Sequence, residues 1–536
     1  MRTFFRHYFP IIALLLLAAG WKLVFLLRDA VPFNSDEAIV ALMARHILMG
    51  ARPVFFYGQA YMGSLDAWLV AGGFLIFGQQ VWVIRLVQAL LYLGTLWTTW
   101  LLGQRAFGSR RTGWLAALLL AVPTVNMTVY TTASLGGYGE ALLLGNLMLL
   151  VSLGLYRRAN SGQRLNGASF ALWGLLAGLG LWANGLTLVY SAPSGIFLLW
   201  LLFKQRRGLL AWLALVWTAL GIAAGASPWW LHALRTGPQQ LVSELFGNAV
   251  AVEGSPWLTQ VGQHLLSFVL FGLTALFGLR PPWDVTWLAL PLLPLGLAFW
   301  LAVTGWMVRS SLRGQGDRAP RRLLLGVILT VTAGFLFTPF GVDPSGRYFL
   351  PMSVPLALFA ADLAQRISPR LRWQATLIGL VVVFQAWGAL QAAAGPPGLT
   401  TQFYQPSVVD HRYDDELMRF LEAEGETRGY TNYWVAYPLA FKSREQIIFI
   451  PALPYHPDLR YTTRDNRYAP YTAAVKRSPR AAYIVTHNAP LTAALRQGFE
   501  RLGVTWEETR IGDFEVFYGL SRHVRPAELG VGLGGK

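Results

Sequence analysis

A succession of long apolar stretches sets what this chain can fold into. Runs able to cross a hydrocarbon core, which takes roughly 17 to 25 helical residues, begin near Pro10, Val81, Thr112, Tyr138, Ala168, Leu186, Leu209, Val285, Leu323, Phe349 and Trp373. They predict an α-helical polytopic membrane protein with about eleven transmembrane helices. At 54% hydrophobic residues and a mean hydropathy of +0.42, the chain is too apolar to cover a water-exposed surface with polar groups. The formal charge of +17 would suit nucleic-acid binding only if Lys and Arg were gathered on one soluble face or tail. Many instead sit in short loops between the apolar runs, so the expected partner is the lipid bilayer and not a nucleic acid. With no cysteine, disulfides, thiolate nucleophiles and Cys-ligated metals are excluded.

The loops alternate in charge. Arg105, Arg110 and Arg111 form one basic group, Arg157, Arg158 and Arg164 a second, and Lys204, Arg206 and Arg207 a third. Arg309, Arg313, Arg318, Arg321 and Arg322 follow, then Arg366, Arg370 and Arg372. Under the positive-inside rule these loops are cytoplasmic, which predicts a cell-membrane protein with a cytoplasmic N-terminus and an extracytoplasmic C-terminal domain. The apolar run behind Arg2 and Arg6 is expected to stay as the first span, since no convincing small-residue cleavage site follows it. Residues 261–279 break the charge parity if they span, so they are expected to re-enter or lie on the outer face, over a cavity.

The long outward loops, residues 29–80 and 229–283, are where function should concentrate. Residues 36–49 carry Ile39, Leu42, Met43 and Ile47 at helical spacing with Glu37 and Arg45 among polar neighbours, the pattern of an interfacial helix, and residues 64–77 suggest a second. From about Thr400 charges reach ordinary density and apolar runs shorten to strand length, at 447–450, 481–486 and 514–518, with amphipathic helices expected at 414–423 and 491–502. This predicts a transmembrane domain over 1–398 and a small soluble α/β domain over 399–536. The glycines within 530–535 predict a frayed tail.

Several polar groups stand where chemistry could occur. Asp36 and Glu37 lie just past the first span; Ser35 as an N-cap and acids in a first helical turn explain them as well as catalysis does. Asp66 sits on the second interfacial helix, where a lone Asp is more often solvated. Glu140, in Ser134-Leu135-Gly136-Gly137-Tyr138-Gly139-Glu140, is at the outer end of a span, where an acid should face a cavity or a cation. Lys22 and Arg28 predict snorkelling cations. Asp343-Pro344-Ser345-Gly346-Arg347-Tyr348 predicts a tight outer turn, yet a turn does not call for Arg347, whose fork of donors suits a phosphate. Tyr61 and Tyr57, with Gln59, fit interfacial belt aromatics and turn filler, and His46 and His232 fit structural or interfacial roles better than metal ligation. No Walker loop, dinucleotide fingerprint or His-Glu-x-x-His helix is present.

The order of these features resembles the GT-C membrane glycosyltransferases, in particular the protein O-mannosyltransferase and aminoarabinose transferase superfamily. The carriers are Asp36-Glu37, the following Ala41-Leu42-Met43-Ala44-Arg45-His46-Ile47-Leu48-Met49-Gly50, and Gly346-Arg347-Tyr348-Phe349-Leu350-Pro351. The resemblance implies a GT-C-like fold that moves a sugar, with inversion, from a polyprenyl-phosphate donor to a lipid, glycan or protein acceptor on the extracytoplasmic side. It implies Asp36 as the base and Glu37 as its orienting or acceptor-binding neighbour. Arg347 with Tyr348 would hold the departing phosphate, and Asp66, Glu140 and Tyr61 would lie on the substrate. No cofactor is required, and a divalent metal is optional. Two other readings carry distinct expectations. A non-enzymatic transporter or flippase of lipid-linked sugars would show repeated halves and midplane charges, and a receptor would work through its C-terminal domain alone.

Overall fold

The computed structural model describes residues 2–204, 208–245, 247, 256–314 and 316–532. Arg206 and Arg207 of the third basic loop and residues 533–536 of the tail lie outside the described residues. The chain forms a multi-pass membrane protein. Among the described residues nine helices are long and apolar enough to cross a bilayer, and the pair Ala211–Gly225 and Ser227–Thr236, bent by 70°, would make a tenth. The run at Thr112 yields only Arg110–Ala121, because Pro123 holds Val122 out of helical conformation and stops the helix. The run at Ala168 yields Gly167–Ala183. The segment that breaks charge parity is helical, Trp257–Ser267 continuing through a π-helical stretch at Phe268–Gly272, and Trp257–Leu276 has the length and hydropathy of a span.

The chain divides into two compact units. The first comprises Met1–Val31, Ala60–Asp66 and Trp82–Phe403; the second comprises Pro32–Gln59, Ala67–Val81 and Tyr404–Lys536.

Within the first unit, small residues set a close helix contact. Gly174 and Gly178 lie against the backbone of Thr218 and Ile222, and Gly221 and Gly225 against that of Ala171 and Leu175, so a Cβ at any of the four would strike a carbonyl oxygen. Without a hydrophobic drive between helices in lipid, such small-xxx-small faces let backbones approach and recover dispersion energy. Four of the basic loops are joined to one another. Arg157 donates to the carbonyls of Gln104 and Arg105 at 2.9 and 3.1 Å, and the Tyr156 hydroxyl reaches Asp317 at 2.8 Å. The Gln365 side chain accepts from Ser109 and donates to Thr112. Lys22 does not snorkel. It is 3% exposed, donating to the Thr131 carbonyl at 2.6 Å and to the Thr131 and Thr132 hydroxyls at 2.9 Å, with the Tyr92 ring 4.5 Å away. These threonines supply the acceptors that hydrocarbon lacks, which removes the need to reach water.

Seven strands occur among the described residues: β1 (Phe55–Phe56), β2 (Gln59–Gly63), β3 (Arg428–Thr431), β4 (Ile448–Pro451), β5 (Ala482–Thr486), β6 (Glu507–Ile511) and β7 (Phe514–Tyr518). In the second unit the last five form one sheet in the order β4-β3-β5-β7-β6, parallel on the β4-β3-β5 side and antiparallel on the other. The expected strands at 447–450, 481–486 and 514–518 and the helices at 414–423 and 491–502 are present within two residues. β3, with the sequence Arg-Gly-Tyr-Thr, carries little β-branched signal; Gly429 is there because β5 passes so close that a Cβ would meet the Ala482 carbonyl. Gly530 is not frayed: it holds a positive φ of 74° and closes the turn after Pro526–Leu529 by donating to the Ala527 carbonyl.

The helix Ser35–Leu48 belongs to this unit, and its expected polar face is not turned to water. Twelve of its fourteen residues are buried, against the helix Tyr433–Lys442 among others. Arg45 donates to the Phe441 carbonyl at 3.0 Å and to Gln79 at 2.7 Å, and its guanidinium lies 4.6 Å from the Phe441 ring. Glu445 lies 3.6 Å from Arg45 and 2.9 Å from His46. Burial would raise the Glu445 carboxyl, but hydrogen bonds from His46 and Tyr471 and the charge of Arg45 hold it below its ordinary value. Tyr57 bonds His46 at 2.9 Å and stacks on Tyr468, so it is a packing residue of this unit and not a belt aromatic.

Candidate active site

In the second unit the site is built on the start of the Ser35–Leu48 helix. Asn34, not Ser35, is the N-cap: its side-chain oxygen accepts from the Asp36 and Glu37 amides at 3.1 and 3.5 Å. Ser35 is displaced from that role because its hydroxyl donates to the Tyr433 carbonyl. The two acids have unequal access. Glu37 is 1% exposed, whereas Asp36 is half-buried and accepts a hydrogen bond from the Tyr433 hydroxyl at 2.7 Å. Burial, together with the Asp36 carboxylate, pushes the Tyr433 phenol well above its ordinary value, which keeps it a donor. Arg467 lies over the Tyr433 ring at 5.7 Å. Asp465 also faces this cluster; burial pushes it up to about 7, with Asp36 adding to the rise and Arg467 opposing it. Tyr433, Asp465 and Arg467 were not foreseen from sequence. They lie some four hundred residues from Asp36, and no local pattern marks them.

In the first unit Asp66 is not solvated. It is 2% exposed, accepts from Gln88 at 2.8 Å and from the Ser134 hydroxyl, and faces the amides of Gly136 and Gly137. Those glycines hold φ of 81° and 95°, which aims successive N–H groups at an anion as in a nest; a Cβ on Gly137 would also meet the Ala183 carbonyl at 2.8 Å. Burial nevertheless lifts the Asp66 carboxyl above its ordinary value. Glu140 lies beside it, also 2% exposed, and its carboxyl faces that of Asp66.

The turn at 343–348 is tight and already internally paired. Asp343 accepts from the Ser345 amide at 2.8 Å and pairs with Arg347 at 2.5 Å. The Arg347 guanidinium lies 5.1 and 5.9 Å from the rings of Tyr348 and Phe403, and its Nε has no partner among the described residues. The turn is clamped from behind by Arg280, which donates to the carbonyls of Phe271 and Pro344. Next to it Tyr61, Tyr138 and Tyr348 line a cavity of about 320 Å³ whose other walls are mostly apolar, among them Val189, Val331 and Phe335. A second cavity, of about 500 Å³, shares Thr330 and follows the same two helices, Leu188–Lys204 and Ala319–Phe337, to Trp200 and Arg322. Most of the first lining is carbon, the surface a hydrocarbon chain prefers. Among the described residues no three His, Asp or Glu side chains gather in a metal-ligating group.

Over 96% of this chain and 98% of the other, the backbone is similar to that of ArnT from Cupriavidus metallidurans bound to undecaprenyl phosphate, at a TM-score of 0.62 and 14% sequence identity. It carries the GT-C fold. The oligosaccharyltransferase of Archaeoglobus fulgidus is a more distant neighbour, at a TM-score of 0.54 and 12% identity over 90% of this chain and 70% of that one. Residues 64–232 match the dolichyl-phosphate-mannose-protein mannosyltransferase family; this stretch contains Asp66 and Glu140 but not Asp36 or Arg347. The undecaprenyl phosphate-alpha-4-amino-4-deoxy-L-arabinose arabinosyl transferase 2 of Pseudomonas fluorescens is 28% identical over 400 residues, which are 67% of this chain and 64% of that relative. The chain thus spans just under two thirds of that relative's length.

Proposed function

We propose that this GT-C chain is an inverting glycosyltransferase that takes a sugar from a polyprenyl-phosphate donor and passes it to a hydroxyl or amine of a lipid, glycan or protein at the extracytoplasmic face of the cell membrane. The observation that carries this reading is the apolar cavity with a tyrosine-lined wall beside the Arg347 turn. Its carbon-rich wall suits a prenyl tail, and a cation next to it suits a phosphate. A relative that acts on undecaprenyl phosphate-linked aminoarabinose, and a structural neighbour bound to undecaprenyl phosphate, point the same way.

A sugar phosphate already carries a competent leaving group, so no strong general acid is needed. Asp36, more accessible than Glu37, takes the proton of the acceptor nucleophile as that atom bonds to the anomeric carbon. The bond from that carbon to the phosphate oxygen breaks on the opposite face, and its electron pair leaves on the polyprenyl phosphate. Arg347 stabilises the charge that builds there, and a cation fixed beforehand by neighbours costs little reorganisation. Asp343 must share Arg347 when phosphate binds. Glu37 supports the helix start, and Asp66, Glu140, Tyr61 and Tyr348 contribute to the donor side. The basic loops of the first unit support, through the positive-inside rule, a reading in which they and the N-terminus are cytoplasmic.

Incubating the purified chain with a panel of polyprenyl-phosphate sugars, with and without acceptors, and following loss of donor tests the activity. Asp36→Asn should reduce transfer at least about a thousandfold, within the range for losing a base, with membrane insertion unchanged. Transfer at the parent rate by that variant would remove Asp36 as the base.

A further inference from the structure

The second unit supplies a connected set of contacts that holds Asp36 in place. A half-buried carboxylate at a helix start has several rotamers available, and a base works only in one that meets the acceptor proton. Tyr433 meets this helix start twice: its hydroxyl donates to Asp36 at 2.7 Å and its carbonyl accepts from Ser35. The tyrosine is itself fixed. Its ring packs on Trp434 and Tyr437 at 4.9 and 5.7 Å, under the Arg467 guanidinium. Asn432 caps its helix by accepting from the Trp434 amide at 2.9 Å. The same Asn432 donates to Thr486 of β5 at 2.7 Å, which ties the helix start to the central strand of the sheet. A continuous path of contacts therefore runs from β5 through Asn432 and Tyr433 to the carboxylate.

We propose that Tyr433 is a positioning residue for the transfer reaction, so that the C-terminal part of the chain completes the active site and is not an accessory to it. The proposal rests on Asp36 being the base. Tyr433 acts through Asp36: it takes no proton from substrate, and it restricts the carboxylate to the orientation from which the acceptor proton is taken.

The test uses the full-length chain, with Tyr433→Phe and Asp36→Asn assayed side by side on a polyprenyl-phosphate sugar donor. Tyr433→Phe removes one hydroxyl and should lower kcat about 10- to 100-fold, the scale of a small misplacement of a reacting group. Donor KM and Tm should stay at the parent values. An inactive Asp36→Asn with a Tyr433→Phe kcat equal to the parent's overturns the positioning role and leaves the base standing. An active Asp36→Asn removes the base reading and this proposal with it. Should Tyr433→Phe unfold, 3-fluorotyrosine at 433 keeps the hydroxyl and the packing but makes the phenol more acidic. A changed kcat at constant Tm then supports the role, and an unchanged kcat overturns it.

Discussion

Asp36 and Glu37 are neighbours in sequence and unequal in the fold. Both sit in the first turn of a helix capped by Asn34, where the positive end of the dipole favours an acid, but only Asp36 keeps access to solvent. Asp465 adds a second carboxyl to the same cluster and yields a prediction at this scale. A carboxyl raised to about 7 in the folded chain, against roughly 3.9 when unfolded, contributes stability that is fully present below the unfolded value. That contribution is lost as pH rises through about 7. Asp465→Asn carries no charge at any pH, so it should raise Tm relative to the parent at pH 8 and make little difference at pH 4. Thermal unfolding of the full chain in detergent at both pH values reads this directly, and equal differences at the two would show that burial of the charge is not the cause. The helical first turn that carries Asp36 and Glu37 was legible in the sequence. The surroundings of Asp66 and Lys22 were not legible, because their partners Gln88, Ser134, Thr131 and Thr132 lie on other elements.

At the scale of elements, the Ser35–Leu48 helix shows how a pattern can be right about helicity and silent about surroundings. Its apolar spacing was legible, yet the buried Arg45 and His46 find their partner in Glu445, about four hundred residues on. Glu445→Ala should therefore destabilise the second unit by about 3 kcal/mol, the cost of leaving a buried cation unpaired, and loosen this helix before the sheet. Hydrogen exchange of the amides in residues 38–47 against those of β5 would show it. Uniform exchange in the two would mean that the pair does not anchor the helix. The helix contact made by Gly174, Gly178, Gly221 and Gly225 belongs to the same class: the glycines were visible, but which pair of helices they join was not.

For the whole molecule, the second unit gathers Pro32–Gln59, Ala67–Val81 and Tyr404–Lys536, so the C-terminal segment does not hold all of its own core. Residues 404–536 expressed alone should lack cooperative thermal unfolding and bind an apolar dye, because the helix Tyr433–Lys442 loses the helix Ser35–Leu48 that buries it. A cooperative transition with parent-like near-ultraviolet dichroism would refute that, and would favour a C-terminal domain that works on its own. By itself the sequence determined that this chain is a multi-pass helical membrane protein with an α/β part near its end. Length and hydropathy of a run settle whether it can cross lipid, and strand-length runs settle where water returns. It also determined which acids and cations were candidates for chemistry. Only the tertiary structure decided that Tyr433 bonds Asp36, that Asp66 and Glu140 form a buried acid pair, and that Arg347 shares its charge with Asp343 beside a hydrocarbon-lined cavity. A side chain's chemistry depends on its desolvation and on the charges around it, and those come from residues the fold brings near, which no spacing along the chain records.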